Sequence, residues 1–479
     1  MTIIAPDVIY QLKVDLDAAG EEAAKLKKSI VFGWQQPIAD LDFLTIFSAA
    51  ENEERFFGEY PGRCQAFVAL GRAAQIEVEG CLRFDDAARA VEELFRDAVL
   101  FHYAEEAEER PLLLGGFSFN DHEAEAGSHW AGFPAGRLVL PELLLTRHES
   151  SEGVKLSLSL HAVIDGNFCS EDLFYKMSSR LEWLTEQLET PTEPEDTDID
   201  QSSVERRDSS TSHYLQAVGK ALDSIQKGDF EKVVLARYCE LSRDTPFSAA
   251  RVLYNLREHY PSCFIFAASM SGSSFLGATP ERLFALRAGE VLSGPLAGSV
   301  RRGATGEEDM MLQKKLLSNR KELHEHAIVV RAIQRVLEPH CAHLTVPDEP
   351  SILQLPGIQH LYSEISGTLR GNEKASILRI VGDLHPTPAV GGAPGKEALE
   401  WLAENEEMER GWFAGPVGWV NDRGEGDFAI ALRVALLRGN IAHLHAGAGI
   451  VAGSVPEDEL KETTLKMETA SSALLELTP

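Results

Sequence analysis

The 479-residue sequence contains no apolar run near the ~18 residues a membrane span requires. It is poor in basic residues: 45 Lys and Arg stand against 75 Asp and Glu, a formal charge of −30. No basic stripe exists to displace counterions, so nucleic acid is excluded as a partner, and anionic membrane surfaces are disfavoured for the same reason. An anionic substrate would need locally supplied positive charge or a divalent cation. Cysteine is scarce too. Cys64, Cys81, Cys169, Cys239, Cys263 and Cys341 are scattered, with no CxxC among them. That pattern excludes a zinc ribbon or a disulfide frame and fits reduced thiols. The opening stretch "MTIIAPDVIYQLKVDLDAAGEEAAK" has neither a basic, oily secretion pattern nor an Arg-rich transit pattern, so a cytoplasmic location is expected. No repeat of 20–50 residues is visible.

What is present is globular: 44% of residues are hydrophobic and 25% charged. One break stands out. Residues 189–213, "ETPTEPEDTDIDQSSVERRDSSTSH", are acidic and rich in Pro, Ser and Thr, and read as a solvated linker or surface loop. It separates an N-terminal part, 1–188, from a region 214–479, although neither half looks self-capped. Before the break come the strand-like "CQAFVALG", "AQIEVEG", "PLLLGGFSF", "RLVLPELLLT" and "VKLSLSLHAVI", with helices near 85–103 and 170–188. After it come a helix near 213–227 and the strands "KVVLARY", "SCFIFAAS", "SFLGAT", "RLFALRAG" and "EVLSGPLAG". A long helix over 307–338 follows, then "HLYSEISGTL", a helix near 395–404, "GPVGWV", "FAIALRVALLRG" and "IAHLHAGAGIV". A last helix starts at Pro456. Runs of strands with helices between the runs predict an α+β fold with antiparallel sheets.

Several side chains sit where their chemistry needs an explanation. In "LHEHAIVVRAI", Ile328, Val329, Ala332 and Val336 follow Glu325 at i+3, i+4, i+7 and i+11, which puts Glu325 on the core-facing stripe of a helix. A buried carboxylate requires a hydrogen-bond donor, a basic partner or a metal ion. His324 and His326, two apart, point to different helix faces and do not make an HExxH-type zinc pair; a hard cation such as Mg2+ suits the carboxylate better. A neighbouring arginine would serve equally. The last helix offers Glu459, Glu462 and Lys466 within two turns, the latter two an i,i+4 pair that on local grounds is a surface ion pair. Gly447 and Gly449 flank Ala448 in a segment that reads either as a hairpin needing positive φ or as a turn aiming N–H groups at an anion. Arg433 interrupts an apolar strand, so it needs an anion or an exposed face. Lys232 opens "KVVLAR" and, if enclosed, could act as a general base; Glu281 follows Pro in "GATPERLF". "SGPLAGSVRRG" and "LHPTPAVGGAPGK" are loops ordered enough to line a site.

The order of these segments carries more than any one of them. "KVVLAR", "GATPERLF", "GPLAGSVRRG", "HEHAIVV", "HPTPAVGGAP", "RGWFAGPVGW", "ALRVA", "HAGAGIV" and "ELKETTLK" follow one another along the second half. This resembles the chorismate-utilising enzymes: isochorismate synthase, salicylate synthase, and the synthases of anthranilate and aminodeoxychorismate. The likeness is dense from Tyr214 onward and thin before it, where "LLLGGFSF" is similar to a segment of isochorismate synthases. Lys232 stands where the water-adding members carry Lys and the ammonia-adding members Gln, so the chain resembles isochorismate synthase most. The resemblance implies two large facing antiparallel β-sheets with helices outside. It implies chorismate as substrate and Mg2+ held by Glu325 and Glu462, with Glu322 and Glu459 direct or through water. It makes Lys232 the general base for water attack at C2 and Glu281 the acid for loss of the C4 hydroxyl. Arg433 and the backbone of Gly447, Ala448 and Gly449 would hold the enolpyruvyl carboxylate, with Lys466 adding charge. Gly298 and Ser299 would line the ring-carboxylate side, and His385 and Ala389 the ring pocket. Phe413 stands where some relatives carry Tyr. A monomer without a glutaminase partner is expected, with a product destined for quinone or catechol-siderophore synthesis. The resemblance leaves two rivals: salicylate synthase, in which isochorismate then loses pyruvate, and an ammonia-using synthase.

Overall fold

The computed structural model describes residues 6–103, 107–125, 127–150, 153–165, 168–189, 204–371 and 376–476. Residues 190–203, most of the expected linker, lie outside the described residues. The end of that stretch is structured: Glu205–Asp208 is a strand paired with Lys232–Ser242, and the helix after it is Thr211–Lys227.

The fold is α+β, with large antiparallel sheets flanked by helices. The larger sheet has thirteen strands. From one edge its order is Glu205–Asp208, Lys232–Ser242, Ile441–Val451, Val434–Arg438, Ser273–Thr279, Phe264–Met270, Arg55–Tyr60, Gln65–Leu70, Leu143–Ser150, Gly153–Ile164, Ile30–Pro37, Val99–Phe101. The two-residue Gly392–Ala393 pairs beside Lys232–Ser242. The second sheet has nine strands: Cys341–Thr345, Ile365–Leu369, Glu290–Gly294, Arg282–Arg287, Gly426–Ile430, Pro416–Asn421, Leu112–Phe117, Gly136–Leu140, Ala74–Val78. A small third sheet joins Leu296–Arg301, Ile358–Tyr362 and Ser351–Gln354. Strands from both sides of 190–203 share each large sheet. Arg55–Tyr60 pairs with Phe264–Met270, and Leu112–Phe117 pairs with Pro416–Asn421. One pair, Ile30–Pro37 with Val99–Phe101, is parallel.

Period-two alternation explains the layering. In "FIFAASM", Phe264, Phe266, Ala268 and Met270 enter a core shared with Leu112, Leu114, Phe284, Trp419 and Phe428 of the nine-stranded sheet. Ile265 and Ala267 enter a second core, between the large sheet and helices that contribute Leu12, Leu16, Phe47, Leu253, Met467 and Leu474. The large sheet is therefore apolar on both faces, which is why its strands read as nearly continuous hydrophobic runs. The helix Pro6–Leu26, whose Leu12, Leu16, Ala19 and Ala23 form a buried stripe, was not anticipated, although the stripe is in the sequence.

Five expected elements are divided. "RLVLPELLLT" falls into Gly136–Leu140 and Leu143–Ser150, and "HLYSEISGTL" into Ile358–Tyr362 and Ile365–Leu369, each pair in different sheets. The long helix is two, Gly306–Ser318 and Arg320–Leu337. They break at Asn319, whose extended backbone (φ −77, ψ 111) lets its side chain accept from Lys321 N and cap the second helix. "FAIALRVALLRG" is not one strand. Gly426–Ile430 belongs to the nine-stranded sheet, Val434–Arg438 to the thirteen-stranded one, and the chain crosses between them through Arg433 at φ +55. "EVLSGPLAG" likewise splits into Glu290–Gly294 and Leu296–Arg301, in different sheets. A further crossing runs from Ser273–Thr279 to Arg282–Arg287 through Glu281. The Glu281 and Arg433 crossings are stitched together: Ile430 N donates to Glu281 O at 3.0 Å, and Thr279 Oγ1 donates to Ile430 O at 2.5 Å. Where strands change sheets, the sandwich opens.

Candidate active site

A cleft of about 720 Å³, counting its open mouth, lies at these crossings. Glu281, Gly298, Ser299, Glu325, Ala389, Arg433, Gly447, Gly449, Glu462 and Lys466 line it, together with Val234, His360, Val390, Arg410, Phe413 and His445. Lys232, 1% exposed, reaches it through Glu325: its Nζ is 2.9 Å from Glu325 Oε1. The partner that Glu325 needed is thus a lysine rather than an arginine. Glu325 is indeed buried on the helix face that carries Ile328 and Val329. His324 is exposed, and His326 Nε2 lies 2.8 Å from Ser363 Oγ, so "HEH" is not a ligand set.

Gly447 and Gly449 are not in a turn. Both lie inside the strand Ile441–Val451, and neither has positive φ. Their peptide groups nevertheless share one direction. Val234 pairs with Gly449 and Ala236 with Gly447, yet Val234 N donates to Gly391 O and Ala236 N to Glu406 Oε2. Those are therefore non-hydrogen-bonded pairs, and the peptide groups of Gly447 and Gly449 point away from Lys232–Ser242. On that other side Val434–Arg438 stops pairing at His445, leaving a free edge. Lys466 Nζ takes up the Gly447 carbonyl at 2.9 Å. Glycine at 449 has a steric cause: a Cβ there would sit 2.2 Å from Glu325 Oε1 and 2.9 Å from Lys232 Cε. Ala448, fully buried, faces the opposite side and does not line the cleft.

Arg433 is 7% exposed and donates from Nη2 to His360 Nε2 at 2.8 Å; His360 Nδ1 is 2.9 Å from Ser299 Oγ. The arginine is aimed by a buried histidine, not exposed on a strand edge. Gly298, at φ +79, forms the bulge that turns Ser299 N toward Glu322 Oε2 at 3.2 Å. His385, expected in the ring pocket, is outside it: its Nε2 is 3.1 Å from Phe119 O, its ring packs on Phe84 and Phe119, and burial lowers its pKa to about 3. The loop it begins reaches the cleft through Ala389 and Val390 instead. Arg410, 2% exposed, ties that loop down, donating to Val390 O at 2.8 Å and to Val234 O at 2.7 Å. His360, His445 and Arg410 escaped the sequence reading. Each earns its place only through contacts between segments far apart in the chain.

The electrostatics divide the cleft. Glu281 is 3% exposed, and burial pushes its pKa up to about 7, although Leu296 N–H, Lys232, Arg433 and Lys466 pull it down. Its Oε1 has no hydrogen-bond partner. At the other end four carboxylates gather from two helices: Glu322 and Glu325, Glu459 and Glu462. Glu322 is pushed up to about 7 by burial and then by Glu325, with Glu462 adding to the repulsion. Glu459 is raised by burial and by Glu462, despite Lys321 at 2.9 Å. Burial works to raise Glu462 as well, but Lys466 at 2.7 Å keeps it below its ordinary value. Among the described residues no three His, Cys, Asp or Glu side chains form a ready-made metal cage. Mg2+ does not require one, since it binds through one or two carboxylates plus water and substrate oxygens. Oxygen donors that burial and then mutual repulsion leave protonated at Glu322 fit a hard cation.

Comparison with known proteins matches this architecture. The family model described as "Chorismate binding enzyme" matches residues 17–475. The chain belongs to that family. It is 34% identical to the isochorismate synthase MenF of Bacillus subtilis (strain 168) over 463 residues, 95% of each chain. It is also 34% identical to the "Salicylate biosynthesis isochorismate synthase" of Pseudomonas aeruginosa over 482 residues, 99% of this chain and 97% of that one. Among solved structures, MenF of Escherichia coli superposes with a TM-score of 0.75, covering 97% of this chain and 99% of that one at 23% identity, a likeness of fold. The putative 2,3-dihydroxybenzoate-specific isochorismate synthase DhbC of Bacillus anthracis gives 0.69 at 27% identity, over 90% and 98%. Among the described residues no helix is long and apolar enough to cross a membrane.

Proposed function

We propose that this chorismate-binding enzyme is an isochorismate synthase, adding water at C2 of chorismate and expelling the C4 hydroxyl. The observation that carries the reading is a cleft lined by Arg433 and by Glu281, a buried carboxyl whose pKa is raised to about 7, with the fully buried Lys232 behind it on Glu325. Near-complete alignment with two isochorismate synthases supports it.

Lys232 takes a proton from the attacking water. Glu281, protonated near neutral pH, gives one to the departing C4 oxygen. The chain thus supplies an acid that burial keeps protonated against three neighbouring cations, and a fully buried amine whose Nζ lies on Glu325. Arg433, aimed by His360, and the outward N–H groups of Gly447 and Gly449 hold the enolpyruvyl carboxylate. Ser299 and Gly298 border the ring carboxylate. Glu325 and Glu462, with Glu322 and Glu459, would hold Mg2+, which when bound supplies positive charge for the ring carboxylate. Phe413, stacked on His445 at 5.4 Å, closes the cleft without offering a hydroxyl.

The test is product analysis with purified protein, chorismate and Mg2+. Isochorismate is the expected product. Lys232→Ala should lower its formation by about 10²–10⁴-fold while chorismate binding persists. Fluorescent salicylate would favour the lyase instead, and an aminated product with ammonium would favour the amino-adding synthases. Normal turnover by Lys232→Ala would remove the base assignment.

A further inference from the structure

His445 is the one cleft histidine whose position the scheme above does not use. It sits in Ile441–Val451 on the same face as Gly447 and Gly449, and it is 1% exposed. Its register partner is Val434, the residue after Arg433, so imidazole and guanidinium flank the same corner of the cleft. Its ring is held tightly. Phe413 stacks on it at 5.4 Å and 22°, Trp130 packs at 5.3 Å, and His129 stacks at 5.7 Å. Both of its ring nitrogens are buried and have no hydrogen-bond partner. The other buried histidines near the cleft differ. His360 is bonded to Ser299 and Arg433, and His326 to Ser363.

An imidazole kept only for its shape makes no physical sense here. Phenylalanine would stack equally well and strand no polar atom, whereas an unpartnered buried nitrogen costs about 1–3 kcal/mol. Burial, with His129 and His443 close by, keeps the ring neutral, so it carries one N–H donor and one acceptor.

We propose that His445 is a substrate-contacting, specificity-determining residue whose imidazole N–H donates to the carboxylate that Arg433 grips. This rests on the isochorismate synthase reading and extends it. Two donors, the charged one from the sheet crossing and the neutral one from the neighbouring strand, would fix the orientation of a planar carboxylate where a single arginine lets it pivot. Because that carboxylate is remote from C2 and C4, the contact acts on binding in ground and transition state alike.

Three measurements decide it. His445→Phe keeps the stack and removes the donor; KM for chorismate should rise on the order of tenfold with kcat within about twofold, the size of one hydrogen bond to a charged group. His445→Gln restores an N–H and should recover part of that loss. Independently of any variant, a crystal structure of the native protein with chorismate should place a His445 ring nitrogen within about 3.2 Å of the carboxylate that Arg433 holds. An unchanged KM in a folded His445→Phe, or a complex in which neither ring nitrogen reaches that carboxylate, overturns the contact. If neither variant folds, the complex of the native chain decides alone. Failure of the native protein to form isochorismate is a different result: it removes the functional reading. Chorismate seated on His445 without turnover would keep the contact and discard the reaction.

Discussion

Glu281 and Glu322 arrive at the same place by different routes. Both carboxyls are pushed up to about 7, and burial is the largest cause for each. Their neighbours differ in sign. Lys232, Arg433 and Lys466 surround Glu281 and all lower its pKa, so burial alone outweighs three cations. Glu322 has Glu325 and Glu462 raising it further, with Lys321 and the Ser299 N–H opposing. Glu281 is therefore a group whose proton is held by its cavity. Glu322 is one whose proton is held by burial first and by neighbouring carboxylates besides, so positive charge beside it favours release. One end of the cleft thus sets a raised carboxyl among cations, the other among carboxylates.

The sharpest way to break the comparison is Glu281→Gln. Activity should fall by about 10²–10⁴-fold, and the loss of kcat/KM expected of the native protein as pH rises through about 7 should be absent from the residual rate. Stability should move the other way. The folded pKa lies above the ordinary 4.5, so the folded state is penalised as pH rises through about 7 and unpenalised below about 4.5. The variant should be more stable than the native protein by up to about 3 kcal/mol above pH 7, a gain that vanishes near pH 4.5, measurable by urea titration across pH. A variant less stable at pH 8 would show that Glu281 is satisfied by contacts other than those described.

Gly449→Ala probes the junction between the two ends. Its Cβ would fall 2.2 Å from Glu325 Oε1, so the Lys232–Glu325 pair must shift. Overpacking should cost about 1–3 kcal/mol, with activity reduced further than the stability loss explains; calorimetry and turnover read the two effects separately. Smaller still is Glu322→Gln. Mg2+ affinity should weaken roughly 10- to 100-fold. The rise in Tm on adding Mg2+ should shrink relative to the native protein, and Glu281→Gln should leave that rise intact. Equal shrinkage in both variants would erase the distinction between the two carboxyls.

Much of this was legible in the sequence for physical reasons. Glu325 fell on a helical apolar stripe, and it is buried there. The strands of the large sheet read as oily runs because both of their faces are covered. The order of nine short segments pointed to the family. What escaped was geometry made between segments. Arg433 looked like a strand residue because Ala429, Ile430 and Leu432 before it and Val434 after it are all apolar; only the sheet crossing, at φ +55, sets it apart. Gly447 and Gly449 looked like a turn because glycine usually marks one, whereas here the missing Cβ makes room for Glu325 and Lys232. His385 belongs to a loop that borders the cleft, but its ring packs against Phe84 and Phe119 from the first half of the chain, and no local pattern shows that. Asn319 could have announced the break in the long helix, since Asn is a strong N-cap, but helical periodicity on both sides concealed it.

The most direct measurement is conversion of chorismate by the purified protein with Mg2+ in ¹⁸O-water, read by mass spectrometry. The account requires isochorismate carrying one solvent oxygen, at the C2 hydroxyl, and no solvent oxygen in recovered chorismate before back-reaction sets in. Isochorismate whose C2 oxygen is unlabelled, or a product that has lost pyruvate, would contradict it.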